Sequence, residues 1–193
     1  MLGRTQMPAG VLCGLAVLSQ TGPVTIVDWG CGCMAAMLAS TLPDCDIYEE
    51  RLETAVLDVV KLSAFSFLYL FMKGGKFNPV MILVFAGLLW WGISAPHRGR
   101  THSFVAMILY SACFYAFIPN RRYTLCFAAA YLSHLALDLL NKKGEKLLWP
   151  FNRKGYALYI CRADSMLGSA IGVICTIGIV LFSVFLLGDH YLF

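Results

Sequence analysis

Long apolar runs alternate with short polar breaks along this chain, and most of its chemistry sits in the breaks. The runs cover residues 8–20, 24–41, 56–72, 80–94, 104–119, 123–140 and 166–187, and each reads as a helix, because an apolar run of this kind has to pair its backbone groups internally. The breaks carry the residues that stop helices. Thr21-Gly22-Pro23 is a turn, Leu42-Pro43-Asp44-Cys45-Asp46 ends the second helix ahead of the acidic stretch YEERLE, and Asn120-Arg121-Arg122 is a tight connection. The first run follows a single basic residue and has the outline of a signal peptide. It lacks an A-x-A-type cleavage site and further runs follow, so it is read as a retained first helix, short enough to cross only partly, tilt, or pack inside the bundle. The second run is rich in small residues (Gly30, Gly32, Ala35, Ala36, Ala39), which let helices approach closely.

Composition sets the solvent for these helices. At 193 residues, 59% hydrophobic and 13% charged, with a mean hydropathy of +0.71, the chain is too apolar for an ordinary soluble domain. The expected fold is all-α: one polytopic membrane helix bundle of six to seven transmembrane or membrane-embedded helices, forming a single domain over residues 1–193. Of the eight cysteines, Cys13, Cys31, Cys33, Cys113, Cys126 and Cys175 lie inside apolar runs and behave as small hydrophobes, so no disulfide framework is expected.

If the segments alternate across a bilayer, the N-terminus and loops 42–55, 95–103 and 141–165 share one side. That side holds Arg4, Arg51, Arg98, Arg100, Lys142, Lys143, Lys146, Arg153, Lys154 and Arg162, against Lys73, Lys76, Arg121 and Arg122 on the other. The excess makes the first side cytoplasmic in a cell (inner or plasma) membrane. Three polar motifs fall on it. His134 and Asp138, spaced i, i+4, share a helical face and offer imidazole nitrogen and carboxylate oxygen, a mix that suits zinc or a similar divalent ion; the alternative is a buried His–Asp hydrogen bond. Asp44 and Asp46 follow a helix-ending proline and can face a common cation; the alternative is an exposed turn. His97 and His102 flank Arg98 and Arg100 in a Gly99-containing turn, where the guanidinium groups suit an anionic substrate oxygen; the alternative is an ordinary basic cytoplasmic loop. His190, on the other side, reads as a tail residue.

LPDCD, HRGRTHS and SHLALDLLNKKGEKLLWPF resemble the motifs of the YdjM-type family of membrane-bound metal-dependent hydrolases, whose typical forms are LPDxD, HRGxTHS and SHxxxDxxxxxG-xxLLxP. The likeness runs in consistent order from residue 1 to about 170. It implies a helical, phosphoesterase-like metal site, since that family is grouped with zinc-dependent phospholipase C and single-strand nucleases. By the same resemblance Asp44, His97, His102, His134 and Asp138 become metal-site residues, with Asp44, His102 and Asp138 also catalytic, and Asp46 and Asp164 further polar positions. In one place the chain departs from the pattern: where family members usually have Thr-His near the N-terminus, it reads Arg4-Thr5-Gln6-Met7.

The function expected is a membrane-bound hydrolase with a divalent metal, zinc by preference, acting on a phosphoester or lipid-linked, amphiphilic substrate, with membrane lipids as partners and no nucleic acid. Arg98 and Arg100 are the expected substrate-binding residues. The competing class is a non-catalytic lipid- or metal-binding or transport protein that uses the same polar cluster.

Overall fold

Glycine and alanine decide how the first helices meet. The computed structural model describes residues 3–46, 56–57, 60–62, 64–66, 69, 78, 80–94, 98–142, 144–160 and 166–188. Among them lie α1 (Gly3–Ser19), α2 (Ile26–Thr41), a 3-10 turn (Leu42–Asp46), α3 (Val80–Ile93), α4 (Phe104–Phe117), α5 (Arg121–Leu139) and α6 (Met166–Gly188). The described positions between 56 and 69 are helical too. No strand occurs among the described residues, only an isolated antiparallel bridge between Glu145 and Tyr156. The fold is all-α.

Helix α1 packs on α2 with almost no space between the backbones. A Cβ on Gly10 would stand 2.6 Å from the Ser40 Cβ, and one on Gly14 would stand 2.7 Å from the Ala36 Cβ. The buried face of α2 is Ala35, Ala36 and Ala39, as the run of small residues predicts. Helix α5 lies against both and contributes Tyr123, Phe127 and Tyr131 to an aromatic core shared with α4, where the Phe114 and Phe127 rings stack at 4.8 Å.

The first helix begins at Gly3, earlier than the expected start at residue 8, and carries Pro8 within it. The missing N–H of Pro8 costs one helical bond near the start, where the chain tolerates it. The extension has a consequence for function, because it turns Thr5 and Gln6 into the bundle, where both are buried.

At one end of the bundle a polar clamp joins two connections. Thr25 caps α2 in a reciprocal box with Asp28, whose other oxygen accepts the Tyr123 hydroxyl at 2.7 Å. Arg122 reaches across the same turn, donating to Thr21 Oγ1 at 2.9 Å and to the Pro23 carbonyl at 2.8 Å, with Asp28 3.6 Å away. Asp28, a carboxylate within an apolar run, is thus paired internally.

The outward faces are apolar. Leu83 and Trp90 on α3, Ile108 on α4, and Val173, Ile177, Val180 and Val184 on α6 are all exposed. Such a surface suits lipid better than water. Among the described residues, two stretches are long and apolar enough to cross a membrane: Ile26–Cys45, and Gly168–Gly188 with a mean hydropathy of 2.8. By contrast α3 and α4, with 14 residues each, extend only about 21 Å, short of a hydrocarbon core of about 30 Å.

Candidate metal centre

The opposite end of the bundle collects the start of α1, the end of α2, the loop after α3, the end of α5 and the loop beyond it. Pro43 stops the α2 ladder, and the chain tightens into the 3-10 turn that carries Asp44 inward, its side chain 18% exposed. The loop before α4 is held from three directions. Ser103 caps α4 by accepting from the Ala106 N–H at 3.1 Å, the Tyr131 hydroxyl donates to the Thr101 carbonyl at 2.6 Å, and the Phe104 N–H donates to the Leu147 carbonyl at 3.0 Å. These bonds bury His102 completely. From α5, the i, i+4 spacing sends His134 and Asp138 to the same place, also buried.

One ligand atom from each of Asp44, His102, His134 and Asp138 lies within 4.8 Å of the others. His102 Nε2 is 3.5 Å from Asp44 Oδ1 and 3.5 Å from Asp138 Oδ2; His134 Nε2 is 3.6 Å and 3.5 Å from the same two oxygens. These separations exceed the usual N–H···O distance of about 2.7–3.2 Å. These four separations are close to those between neighbouring nitrogen and oxygen ligands with bonds of about 2.0–2.2 Å, as zinc makes, and the whole set lies within 4.8 Å. The orientation of His134 points the same way. Its Nδ1 lies 2.7 Å from the Ser40 carbonyl, which only accepts, so Nδ1 carries a proton and Nε2 is the nitrogen turned toward two carboxylates. Two imidazole nitrogens and two carboxylate oxygens converging on one point suit a cation among them, and the two carboxylates supply the charge that balances a divalent one. The four side chains fit a metal ion.

Around this cluster lie residues that the motifs described incompletely. Gln6 donates from Nε2 to Asp138 Oδ1 at 2.9 Å and stands 3.2 Å from His134 Nε2, while its buried Oε1 accepts no hydrogen bond from the described residues. The position at which the chain departs from the family pattern is thus part of the site. Arg98, held at φ +60 where a side chain is strained, reaches between Asp138 (3.8 Å) and Glu145 (3.7 Å). Arg100 lies over the Trp91 ring, 5.8 Å from its centroid. Of the two arginines expected to hold substrate, one faces carboxylates of the protein itself and the other an aromatic face. His97, Asp164 and His190 lie outside the described residues, as does the side chain of Asp46.

Sequence reasoning passed over Glu145, which is fully buried. Flanked by Lys142, Lys143 and Lys146, it has the look of one charge in a solvated loop. The loop closes on itself instead: Glu145 and Tyr156 exchange two backbone bonds of 2.9 Å, and Gly144 lies so near the Gly155 backbone that a Cβ there would come within 3.1 Å. Burial pushes the Glu145 carboxyl up to about 8, with His102 opposing, Asp138 adding to the rise and Arg98 opposing. The one available signal was Gly144 directly before it, a residue that permits such close approach.

No curated protein and no solved structure matches the chain. The profile of one family does, over residues 1–188, a stretch that contains all four cluster residues, Gln6 and Glu145. With apolar outward faces and two spans of membrane length besides, this is a membrane protein, and the chain belongs to the family described as YdjM inner membrane protein.

Proposed function

We propose that this chain is a multi-pass, membrane-bound metal-dependent hydrolase. Asp44, His102, His134 and Asp138 hold one divalent ion, zinc by their donor set, and the substrate is a phosphoester or lipid-linked molecule that reaches the site from the cytoplasmic boundary. The observation that carries this reading is the convergence of Asp44, His102, His134 and Asp138, whose ligand atoms lie within 4.8 Å of one another with three of the four residues buried. When bound, such an ion polarises a phosphoryl or acyl oxygen and makes water acidic enough to attack near neutral pH. Asp44 is the more exposed of the two carboxylates, at 18% against 2% for Asp138, so it is the one placed to orient an incoming water. Gln6 holds Asp138 by one oxygen and leaves the other to face the histidines. Multi-pass topology is supported by the way the start of α1, the end of α2, the start of α4 and the end of α5 meet at one end, as alternating segments require, and cytoplasmic orientation by the excess of cations there.

One observation favours the non-catalytic alternative. Four protein donors are as many as a structural zinc site uses, whereas catalytic sites keep a position open. The experiment that separates the two readings is metal analysis of protein purified in detergent, followed by assays of phosphoesters and phospholipids with added zinc or manganese. A hydrolase gives about one metal per chain and turnover that Asp44→Asn removes. Metal without turnover on any substrate favours binding or transport, and protein that takes up no metal defeats the hydrolase and the metal-binding readings and leaves lipid binding. An impermeant thiol reagent that labels a cysteine introduced at Lys142 in intact cells would overturn the cytoplasmic orientation.

A further inference from the structure

The connection between α5 and α6 folds into a lobe whose outer surface combines two kinds of side chain. Residues 141–160 include five cations, Lys142, Lys143, Lys146, Arg153 and Lys154, and one acidic residue, Glu145, which is wholly buried. The charge that the lobe turns outward is therefore positive. Lys142, Arg153 and Lys154 are exposed, and none of the ion pairs among the described residues includes them. Beside these cations stand apolar side chains that water does not favour: Phe151 is 88% exposed, Tyr159 67%, Ile160 62% and Leu158 59%.

The backbone holds this surface in place. Leu158 and Ile160 donate their N–H groups to the Leu139 and Leu140 carbonyls at 2.7 and 3.1 Å, closing the end of α5. In a regular extended segment, alternate side chains would turn to opposite faces. Tyr159, at φ +57 in the left-handed region, breaks that alternation, and the side chains at 158, 159 and 160 all stand exposed. At the tip, Asn152 Oδ1 accepts the Lys154 N–H at 2.9 Å, a turn that sets Arg153 and Lys154 directly after Phe151. On the inner side, the Trp149 ring lies 5.7 Å from that of Trp91 and fastens the lobe to α3.

The lobe also stands where a bilayer ends. It leads into α6, whose segment Gly168–Gly188 is long and apolar enough to span and has 11% of its length buried inside the protein. A surface at that level meets headgroups on one side and acyl chains on the other, and cations beside aromatic and aliphatic side chains match both. We propose that the lobe over residues 142–160 binds anionic phospholipid of the membrane that holds the chain. Phe151, Leu158, Tyr159 and Ile160 enter the interface, while Lys142, Arg153 and Lys154 pair with the net negative charge of the headgroups. A second copy of the chain fits this surface less well, because two such lobes would set cation against cation.

The test is lipid binding to the purified full chain in neutral detergent, counted by native mass spectrometry with dioctanoyl phosphatidylglycerol and dioctanoyl phosphatidylcholine as probes. Wild type should take up the anionic lipid more tightly than the zwitterionic one. Arg153→Gln combined with Lys154→Gln should weaken phosphatidylglycerol binding about twentyfold, at about fivefold for each cation, and leave phosphatidylcholine binding nearly unchanged. Phe151→Ser should weaken both lipids. Arg121→Gln, which removes a cation exposed at the far end of α5, should change neither. All these side chains are exposed, so the variants should fold, with thermal unfolding as the check. Equal affinity of wild type for the two lipids, or a double variant that keeps the preference, overturns the inference. A dimer that Phe151→Ser dissociates, with no difference between the lipids, assigns the surface to a second copy and likewise overturns it. None of these readouts involves metal, so the hydrolase reading stands or falls separately.

Discussion

His134 gives its Nδ1 proton to the carbonyl of Ser40, 2.7 Å away at the end of α2, and that single bond decides which of its nitrogens faces Asp44 and Asp138. Ser40 is in turn placed by the close approach of Gly10, so the small residues of α1 and α2 set the orientation of a side chain on α5. His134→Ala should therefore remove bound metal while the bundle keeps its helices. Metal content by elemental analysis, with far-ultraviolet circular dichroism as the check on folding, tests this; full metal content in the variant would exclude His134 as a ligand.

Gln6 stands where a histidine is expected by family pattern, and it touches both His134 and Asp138. An amide is a poorer ligand for zinc than imidazole, so Gln6→His should raise metal occupancy by adding a neutral nitrogen donor. In the hydrolase reading turnover should rise with it; in the binding reading metal content alone should change. Parallel titrations of the two proteins with zinc and manganese give the answer, and equal affinities would show that position 6 serves only to hold Asp138.

The clamp at the far end offers a contrast. Removing the Tyr123 hydroxyl leaves the buried Asp28 without the 2.7 Å bond that it accepts. Tyr123→Phe should cost about 1–3 kcal/mol of stability, as expected for an unsatisfied charged partner. Metal content should not change, since the clamp and the cluster occupy opposite ends of α5. Thermal unfolding in detergent reads the first effect and elemental analysis the second.

Acidity should act through Glu145 in a definite direction. Its carboxyl is raised from 4.5 to about 8 in the folded chain, so between those values the folded state binds the extra proton. The contribution is fully present below 4.5 and is lost as pH rises through about 8. With metal removed by a chelator, wild type should lose thermal stability relative to Glu145→Gln as pH is raised across this window. A stability difference that stays flat, or grows in favour of wild type, would contradict the burial of an ionisable Glu145.

Much of this protein was legible before folding because the relevant signals are local. Apolar runs bounded by Thr21-Gly22-Pro23, Pro43 and Asn120-Arg121-Arg122 specify helices and their ends, and the i, i+4 spacing of His134 and Asp138 specifies a shared face whatever the neighbours are. Alternation of helix direction then predicts that Asp44, His102, His134 and Asp138 reach the same end, which is where they lie. The start of the first helix was misplaced because Pro8 looks like a beginning, and only packing against α2 and α5 makes the preceding turn worth forming. Contacts between residues far apart in the chain were decided by the tertiary structure alone. Gln6 meets Asp138 across 132 positions, Arg98 turns to two carboxylates of the protein, and Glu145 is buried by a loop closure that no helical period encodes. Local sequence can determine which groups a helix presents; which group on another helix answers them depends on backbone separation and burial, and these exist only once the chain has packed.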